Sequence, residues 1–96
     1  GGRLGAVHTL ETPLIFDTAG ANPLTSGSDD ALQLAAQMSA AWARFAQTGA
    51  PGGDALPDWP CYERTERRVM ILDVRSRVES DPGWRRREFL APMLDV

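Results

Sequence analysis

The 96-residue chain carries a formal net charge of −3, and it contains one cysteine, one histidine and no lysine. This composition predicts no internal disulfide, no metal site and no cofactor, because a structural zinc site alone needs about four N or S ligands. Mild acidity argues against nucleic acid as a partner, and no apolar run approaches the roughly 20 residues of a membrane span.

Two short apolar stretches come first along the chain. Residues 4–7 form an apolar run that is short enough for a buried strand. Residues 10–16 predict a short helix that begins at Thr12, with Pro13 at its first position. Residues 17–28 are rich in Gly, Asn, Pro and Ser, and this composition predicts a loop.

The clearest predicted element is a helix over residues 29–48. Its apolar residues recur every three or four positions in two neighbouring rows, which is the spacing of a helix face. One row is Leu34, Met38, Ala41 and Phe45, and the other is Leu32, Ala35, Trp42 and Ala46. Ser26 or Ser28 can cap the start, and Gly49 supplies the left-handed residue that ends the helix.

The second half of the chain predicts a connector, a strand and a helix. Residues 50–60 are a connector rich in Pro and Gly, and residues 69–74 read as a strand between charged flanks. Residues 81–94 suit a final helix with Asp81 as N-cap and Pro82 at the first helical position. Two strands so far apart in sequence predict contributions to a larger sheet rather than a sheet of their own.

Three further features have structural interpretations. Trp59 and Tyr62 are predicted to anchor the connector on the domain surface. The three arginines at residues 85–87 predict a solvated helix face, because consecutive helical residues point in different directions. Cys61 is predicted to be a buried or half-buried small residue without a neighbouring base.

Four sequence signatures follow one another along the chain. Residues 4–16 read Leu-Gly-Ala-Val-His-Thr-Leu-Glu-Thr-Pro-Leu-Ile-Phe, residues 46–51 read Ala-Gln-Thr-Gly-Ala-Pro, and residues 56–62 read Leu-Pro-Asp-Trp-Pro-Cys-Tyr. A Met-Ile-Leu-Asp strand and a terminal helix with Trp84 complete the set. Together they resemble the carboxylesterase type B and cholinesterase-like family, whose histidine segment runs Gly-Ala-x-His, a small residue, then Glu. Thr9 departs from the family, which often has Gly there.

The resemblance implies an α/β fold in which residues 1–96 are the C-terminal segment of an α/β-hydrolase domain, and hence an incomplete domain. Its expected order is strand, histidine loop, short helix, long helix, strand and C-terminal helix. It also implies that His8 is the catalytic histidine of a serine esterase that hydrolyses carboxylic esters. Imidazole suits that role because it titrates near neutral pH. From the residues alone, a structural histidine in a turn after a strand is the alternative.

Glu11 follows His8 by three residues and has two interpretations. A carboxylate supporting the catalytic group would accept hydrogen bonds from backbone N–H groups and fix the histidine loop. A first-turn acidic residue would instead only complement the helix dipole. Glu11 is not the expected triad acid, because α/β-hydrolases order the triad as nucleophile, acid and then histidine.

The rest of a catalytic site is missing from the sequence. No Gly-x-Ser-x-Gly motif occurs, and the seven residues before His8 include no Ser, Cys, Asp or Glu. The chain is therefore expected to be inactive alone, and to associate with the remainder of the esterase domain or with itself through exposed apolar faces. The rival hypothesis is a non-catalytic interaction or dimerisation module derived from the esterase fold. Substrate identity and cellular compartment stay open.

Overall fold

The computed structural model of the protein describes residues 4–25 and 27–94. Three helices and a two-stranded sheet form in this part of the chain. The helices are α1 (Glu11–Ile15), α2 (Asp29–Thr48) and α3 (Trp84–Leu94), and the strands are β1 (Arg68–Ile71) and β2 (Arg77–Ser80). A short 3-10 helix, Ala19–Ala21, lies in the loop between α1 and α2. No helix of the described ranges is long and apolar enough to cross a membrane.

The long helix α2 forms with the bounds that the sequence predicts. The Oγ of Ser28 accepts a hydrogen bond from the Ala31 N–H (3.3 Å), so Ser28 is the N-cap, while Ser26 lies outside the described residues. At the other end Gly49 takes a φ of 79°, and its N–H donates to the Phe45 carbonyl (2.8 Å). This left-handed ending satisfies a carbonyl that the last turn leaves open.

A small core lies where α1 and the following loop pack against α2. Its buried hydrophobic residues are Ala19, Ala35, Met38 and Ala41, with Pro13 of α1 also buried. Two residues of the predicted apolar rows are not buried: Trp42 is 40% exposed and Phe45 is 55% exposed. Periodicity identifies the apolar face of a helix, but burial needs a second element against it, and within the described residues α1 covers only part of α2.

The short helix α1 begins at Glu11, one residue before the predicted start at Thr12. Pro13 is therefore its third residue rather than its first. The first four N–H groups of a helix have no partner within the helix, so a proline in this turn sacrifices no hydrogen bond. The predicted helix is confirmed, and the assignment of Thr12 to its boundary is wrong.

Residues 4–7 do not form the predicted strand. Leu4 is 69% exposed, Gly5 has a φ of 59°, and the Val7 N–H donates to the Gly5 carbonyl (3.2 Å). A strand requires a neighbouring strand that satisfies its backbone N–H and C=O groups. In the described ranges the sheet consists of β1 and β2 alone, and neither pairs with this segment.

The predicted strand over residues 69–74 is instead one arm of an antiparallel hairpin. Met70 of β1 lies opposite Val78 of β2. The chain turns between the strands because the Asp73 carboxylate accepts from the Val74 N–H (2.8 Å) and the Ser76 hydroxyl accepts from the Asp73 N–H (3.3 Å). These local side-chain hydrogen bonds compete with the strand and end it before residue 74.

The helix α3 begins at Trp84, three residues after the predicted start. Asp81 has a φ of 45°, whereas an N-cap residue takes an extended backbone, so Asp81 is not the predicted cap and Pro82 lies outside the helix. Asp81 is one of the residue types that tolerates the left-handed region, which explains how the chain can turn there. None of the described α3 side chains is buried.

Candidate active site

His8 lies at the corner of a tight turn. The Leu10 N–H donates to the Val7 carbonyl (3.2 Å), which closes a four-residue turn with His8 second and Thr9 third. Thr9 has a φ of 72°, whereas His8 is not among the residues with positive φ. A positive φ at the third position alone is the mark of a type II turn.

The helix α1 holds this turn against the long helix. The Thr12 N–H donates to the Thr9 carbonyl (3.2 Å), which joins the turn to the first residues of α1. The helix in turn packs on α2 and buries Pro13. The backbone at His8 is therefore positioned by two hydrogen bonds and one packed helix, rather than by a strand.

The imidazole of His8 is exposed, and no described residue forms a hydrogen bond with it. An imidazole can accept and return a proton, which is what general acid–base catalysis needs. A triad histidine also needs a carboxylate at one ring nitrogen and a hydroxyl at the other. The described residues bring neither group to His8.

Glu11 is the first residue of α1, and its side chain is exposed. No hydrogen bond or ion pair joins its carboxylate to another described residue. Its position in the first turn lets its negative charge complement the helix dipole. A role in fixing the histidine loop stays a prediction.

Apolar surface adjoins the histidine turn. Leu10, the last residue of that turn, lines an open cavity of about 560 Å³ together with Leu14 of α1, Leu34 of α2 and Val74 of the hairpin turn. Val74 is 60% exposed, and Leu24, which also lines the cavity, is 48% exposed. The cavity is open to solvent, so these side chains form a surface rather than an enclosed pocket.

The described residues offer no set of ligands for a metal ion. No group of three or more His, Cys, Asp or Glu residues in residues 4–25 and 27–94 is placed to hold a metal ion. Cys61 is exposed, which contradicts the predicted buried or half-buried position.

A charged cluster at the start of α3 was not identified from the sequence. The Arg87 guanidinium donates to both carboxylate oxygens of Asp81, through Nη2 at 2.6 Å and Nε at 3.3 Å. The hydrogen bond from Arg87 lowers the pKa of Asp81, and the positive charges of Arg87 and Arg67 act in the same direction. Arg85 and Arg86 are exposed, as a solvated face requires, whereas Arg87 is partly covered and pairs with Asp81 while 39% of its side chain stays exposed. The six-residue separation of Asp81 and Arg87 is not a helix spacing, so no sequence pattern indicated the pair.

The two predicted anchors of the connector behave differently. Trp59 is half-buried and packs against Trp42 of α2, as the prediction requires. Tyr62 is 58% exposed, and its hydroxyl accepts a hydrogen bond from Arg67 (3.1 Å). Tyr62 is therefore held by polar contact rather than by burial.

The carboxylesterase family profile matches residues 2–89 of the sequence. This chain belongs to the carboxylesterase family. Among carboxylesterases, the para-nitrobenzyl esterase of Bacillus subtilis is 34% identical over 90 residues, a match that covers 91% of this chain and 18% of that enzyme. Carboxylesterase 4A of Bos taurus is 40% identical over 74 residues, covering 77% of this chain and 13% of that protein.

The solved structure of a thermophilic PNB esterase superposes on this carboxylesterase-family chain with a TM-score of 0.76 and 35% identity. That match covers 86% of this chain and 18% of the other. The neighbouring structures are α/β-hydrolases, so the predicted fold class, a segment of the α/β-hydrolase fold, is confirmed. The chain spans less than a fifth of the length of the relatives it matches.

Proposed function

We propose that this chain supplies the catalytic histidine of a serine carboxylesterase that hydrolyses carboxylic esters, and that His8 is that histidine. The observation that carries the proposal is the family match over residues 2–89, which includes the histidine turn. The exposed imidazole of His8, at the corner of a turn held by α1, supports it. An exposed group on a loop that is backed by packed helices is the usual arrangement of a catalytic residue.

In this proposal His8 moves a proton twice. As general base it takes the proton of a serine hydroxyl while the serine oxygen attacks the ester carbonyl, and as general acid it gives that proton to the departing alkoxide. Water then replaces the alcohol, and the same imidazole activates the water against the acyl-enzyme. In each half-reaction His8 passes on the proton that it accepts. The proton goes to the alcohol oxygen in the first half-reaction and to the serine oxygen in the second.

The other catalytic groups would come from residues outside this sequence. The 96 residues contain no Gly-x-Ser-x-Gly motif, and the described residues place no carboxylate or hydroxyl on the imidazole. In α/β-hydrolases the oxyanion hole is also built from the nucleophile turn and an earlier loop. The isolated chain is therefore expected to be inactive.

Residues 1–96 are proposed to be an incomplete domain whose partner is the remainder of an esterase domain. The chain exposes many large apolar side chains. Exposed apolar surface of this extent indicates a surface that is covered in the functional protein. Among the most exposed are Leu4, Phe16, Phe45, Phe89, Met93 and Leu94. In isolation the same surfaces are expected to drive self-association.

A non-catalytic interaction module is the second candidate, and one apolar groove favours it. The groove has a volume of about 220 Å³ and is lined by Ala41, Trp42, Phe45, Pro51 and Trp59. A stand-alone module would use such a groove to bind a partner, and its function would not depend on His8. The two candidates therefore differ in whether the chain can support ester hydrolysis.

A hybrid enzyme tests the proposal. This chain replaces the matching 90 residues of the Bacillus subtilis para-nitrobenzyl esterase, and hydrolysis of p-nitrophenyl acetate is measured with and without a serine-directed sulfonyl fluoride. The expected result is inhibitor-sensitive turnover by the hybrid and none by the 96-residue chain alone. A hybrid that is folded by circular dichroism but inactive would favour the interaction module, and inhibitor-sensitive turnover by the isolated chain would contradict the expected inactivity.

A further inference from the structure

Thr9 adopts a backbone conformation that its side chain disfavours. Its φ of 72° lies in the left-handed region, where a β-branched residue is a genuine outlier. The other non-glycine residues with positive φ in the described ranges are Asp17, Arg67 and Asp81, none of which is β-branched. The third position of a type II turn normally takes Gly or Asn. A feature other than the intrinsic preference of threonine must therefore hold the turn in this form.

The hydroxyl of Thr9 contacts the part of the turn that distinguishes the two common turn types. Type I and type II turns differ mainly by a rotation of the peptide between the second and third residues, here His8 and Thr9. The Thr9 hydroxyl donates to the His8 carbonyl oxygen at 2.5 Å, and that carbonyl belongs to this same peptide. Because Thr9 itself is exposed, packing does not impose the conformation.

The backbone of Thr9 is held from the other side as well. Its carbonyl accepts the Thr12 N–H at the start of α1 (3.2 Å). The peptide that precedes Thr9 is thus bound by its hydroxyl, and the peptide that follows is bound by the helix. Rotation of the His8–Thr9 peptide would change ψ of His8 and move the backbone from which the imidazole extends.

We propose that Thr9 is a positioning residue for His8, whose hydroxyl selects the type II form of the turn. The inference rests on the proposed role of His8 in ester hydrolysis. A general base that is misplaced by about 1 Å loses much of its effect, because proton transfer needs hydrogen-bond reach at the moment of reaction. Thr9 acts through the peptide of His8 and does not touch the reacting atoms.

Three substitutions distinguish selection of the turn by the Thr9 hydroxyl from direct contact of that hydroxyl with substrate. Thr9→Val removes the hydroxyl but keeps the branched shape, so the turn should revert to type I, in which the φ of the third residue is negative. Thr9→Ser keeps the hydroxyl. Thr9→Gly lacks the hydroxyl but favours the positive φ intrinsically, so it should restore the type II turn by a different route. A hydroxyl that contacted substrate would instead make the glycine variant as poor as the valine variant.

The turn type is read by nuclear magnetic resonance on the 96-residue chain. The amide protons of residues 8 and 9 are far apart in a type II turn and close in a type I turn, so the nuclear Overhauser effect between them reports the peptide orientation. We expect a weak effect in the native chain and in the serine and glycine variants, and a strong one in Thr9→Val. A weak effect in Thr9→Val would overturn the selection of the turn by the hydroxyl.

The consequence for catalysis is read in the hybrid esterase. Thr9→Val should lower kcat for p-nitrophenyl acetate about tenfold with KM unchanged, the scale of a poorly placed general base. The serine and glycine variants should stay within about twofold of the native hybrid, since both keep the type II turn. Native kcat in Thr9→Val, or a glycine variant as slow as the valine variant, would overturn the inference. His8→Ala in the same hybrid tests the catalytic role of His8 separately, because full activity of that variant would contradict the proposed function. The nuclear magnetic resonance experiment tests the role of Thr9 in the turn independently of catalysis.

Discussion

Trp42 of α2 and Trp59 of the connector meet edge to face, with ring centroids 6.4 Å apart and an angle of 67° between the ring planes. This geometry places the positive edge of one ring toward the negative face of the other, and it contributes about 0.5–1.5 kcal/mol beyond the buried area. The contact fastens the Pro- and Gly-rich connector to the long helix. It also forms one wall of the apolar groove that Phe45 and Pro51 complete.

Replacing Trp59 should therefore release the connector. We expect Trp59→Leu to lower the free energy of unfolding by about 1–3 kcal/mol, since both the ring pair and apolar burial are lost. The measurement is urea unfolding followed by far-ultraviolet circular dichroism. Trp84→Leu is the matched control, because Trp84 is 47% exposed and the contact given for its ring is with the Arg85 guanidinium, 5.3 Å from the ring centroid, rather than with another aromatic ring. Equal losses in the two variants would contradict the structural role of the pair.

The Asp81–Arg87 ion pair should make stability depend on pH in the acid range. The hydrogen bond from Arg87 holds the pKa of Asp81 below its ordinary value in the folded chain. A carboxyl group with a lowered folded pKa contributes stability above its unfolded pKa, and that contribution is lost as the pH falls through the folded pKa. Stability should therefore decline from about pH 4 downward, and more weakly at high salt because both side chains are partly exposed.

Asp81→Asn tests this dependence directly. The variant should show a shallower loss of stability below about pH 4 than the native chain, and Arg87→Gln should show the same reduction. The lowered pKa of Asp73 acts in the same direction, so some slope is expected to persist. Asp58→Asn in the connector is the control, since no described ion pair involves Asp58. An unchanged acid slope in Asp81→Asn would contradict the role of the pair.

Gly49 and Gly53 provide a matched test of how α2 ends. A methyl group added at either position meets no atom within 4 Å, but Gly49 has a φ of 79°, whereas Gly53 is not in the positive region. Gly49→Ala should lower the free energy of unfolding by about 1–2 kcal/mol through backbone strain alone. Gly53→Ala should be neutral or slightly stabilising. Similar effects of the two substitutions on urea unfolding would show that the left-handed helix end is not what Gly49 provides.

The exposed apolar surface should make the isolated chain associate with itself. Phe45 is 55% exposed beside the groove, and contacts between such faces remove apolar area from water. We expect the mass measured by light scattering to rise with concentration, and Phe45→Ser to shift the mass toward the monomer. Gln47→Ser, at an exposed polar position of the same helix, should leave association unchanged. A monomer at every concentration with a sharp, high melting transition would contradict the expectation.

The long helix was predictable because its determinants are local. The apolar spacing, the Ser28 cap and the Gly49 ending all lie within or beside the twenty residues that they specify. Burial on that helix was less predictable, since Trp42 and Phe45 lie on the apolar face but depend on other segments to cover them. The local pattern thus specified the helix α2 but not the packing around its C-terminal half.

The strand predictions were partly wrong because a segment forms a strand only where a neighbouring strand pairs with it. Residues 4–7 have strand composition but no described partner, whereas β2 carries two charged residues and still pairs with β1 because the Asp73 turn folds it back. The prediction that Asp81 caps the final helix was wrong for another reason. Its residue type suits both an N-cap and an ion pair, and only its φ of 45° and the approach of Arg87 decide between them.

The candidate site was found by resemblance rather than by composition. One histidine after an apolar run does not distinguish a catalytic group from a structural one. The assignment of His8 as catalytic rests on the family signatures around it and stays a prediction. The turn type could not have been predicted, because the residue preferences of type II turns argue against a threonine at the third position. The conformation of Thr9 is visible only in the structure.

The most direct test of the proposed catalytic role of His8 is the His8→Ala substitution in the hybrid with the Bacillus subtilis para-nitrobenzyl esterase. Circular dichroism confirms that the variant is folded, and Glu11→Gln serves as the comparison at the neighbouring acidic residue. We expect His8→Ala to lower kcat for p-nitrophenyl acetate by about 10²–10⁴-fold with little change in KM, the effect of losing a general acid–base. Turnover in His8→Ala equal to that of the unsubstituted hybrid would contradict the assignment of His8 as the catalytic histidine.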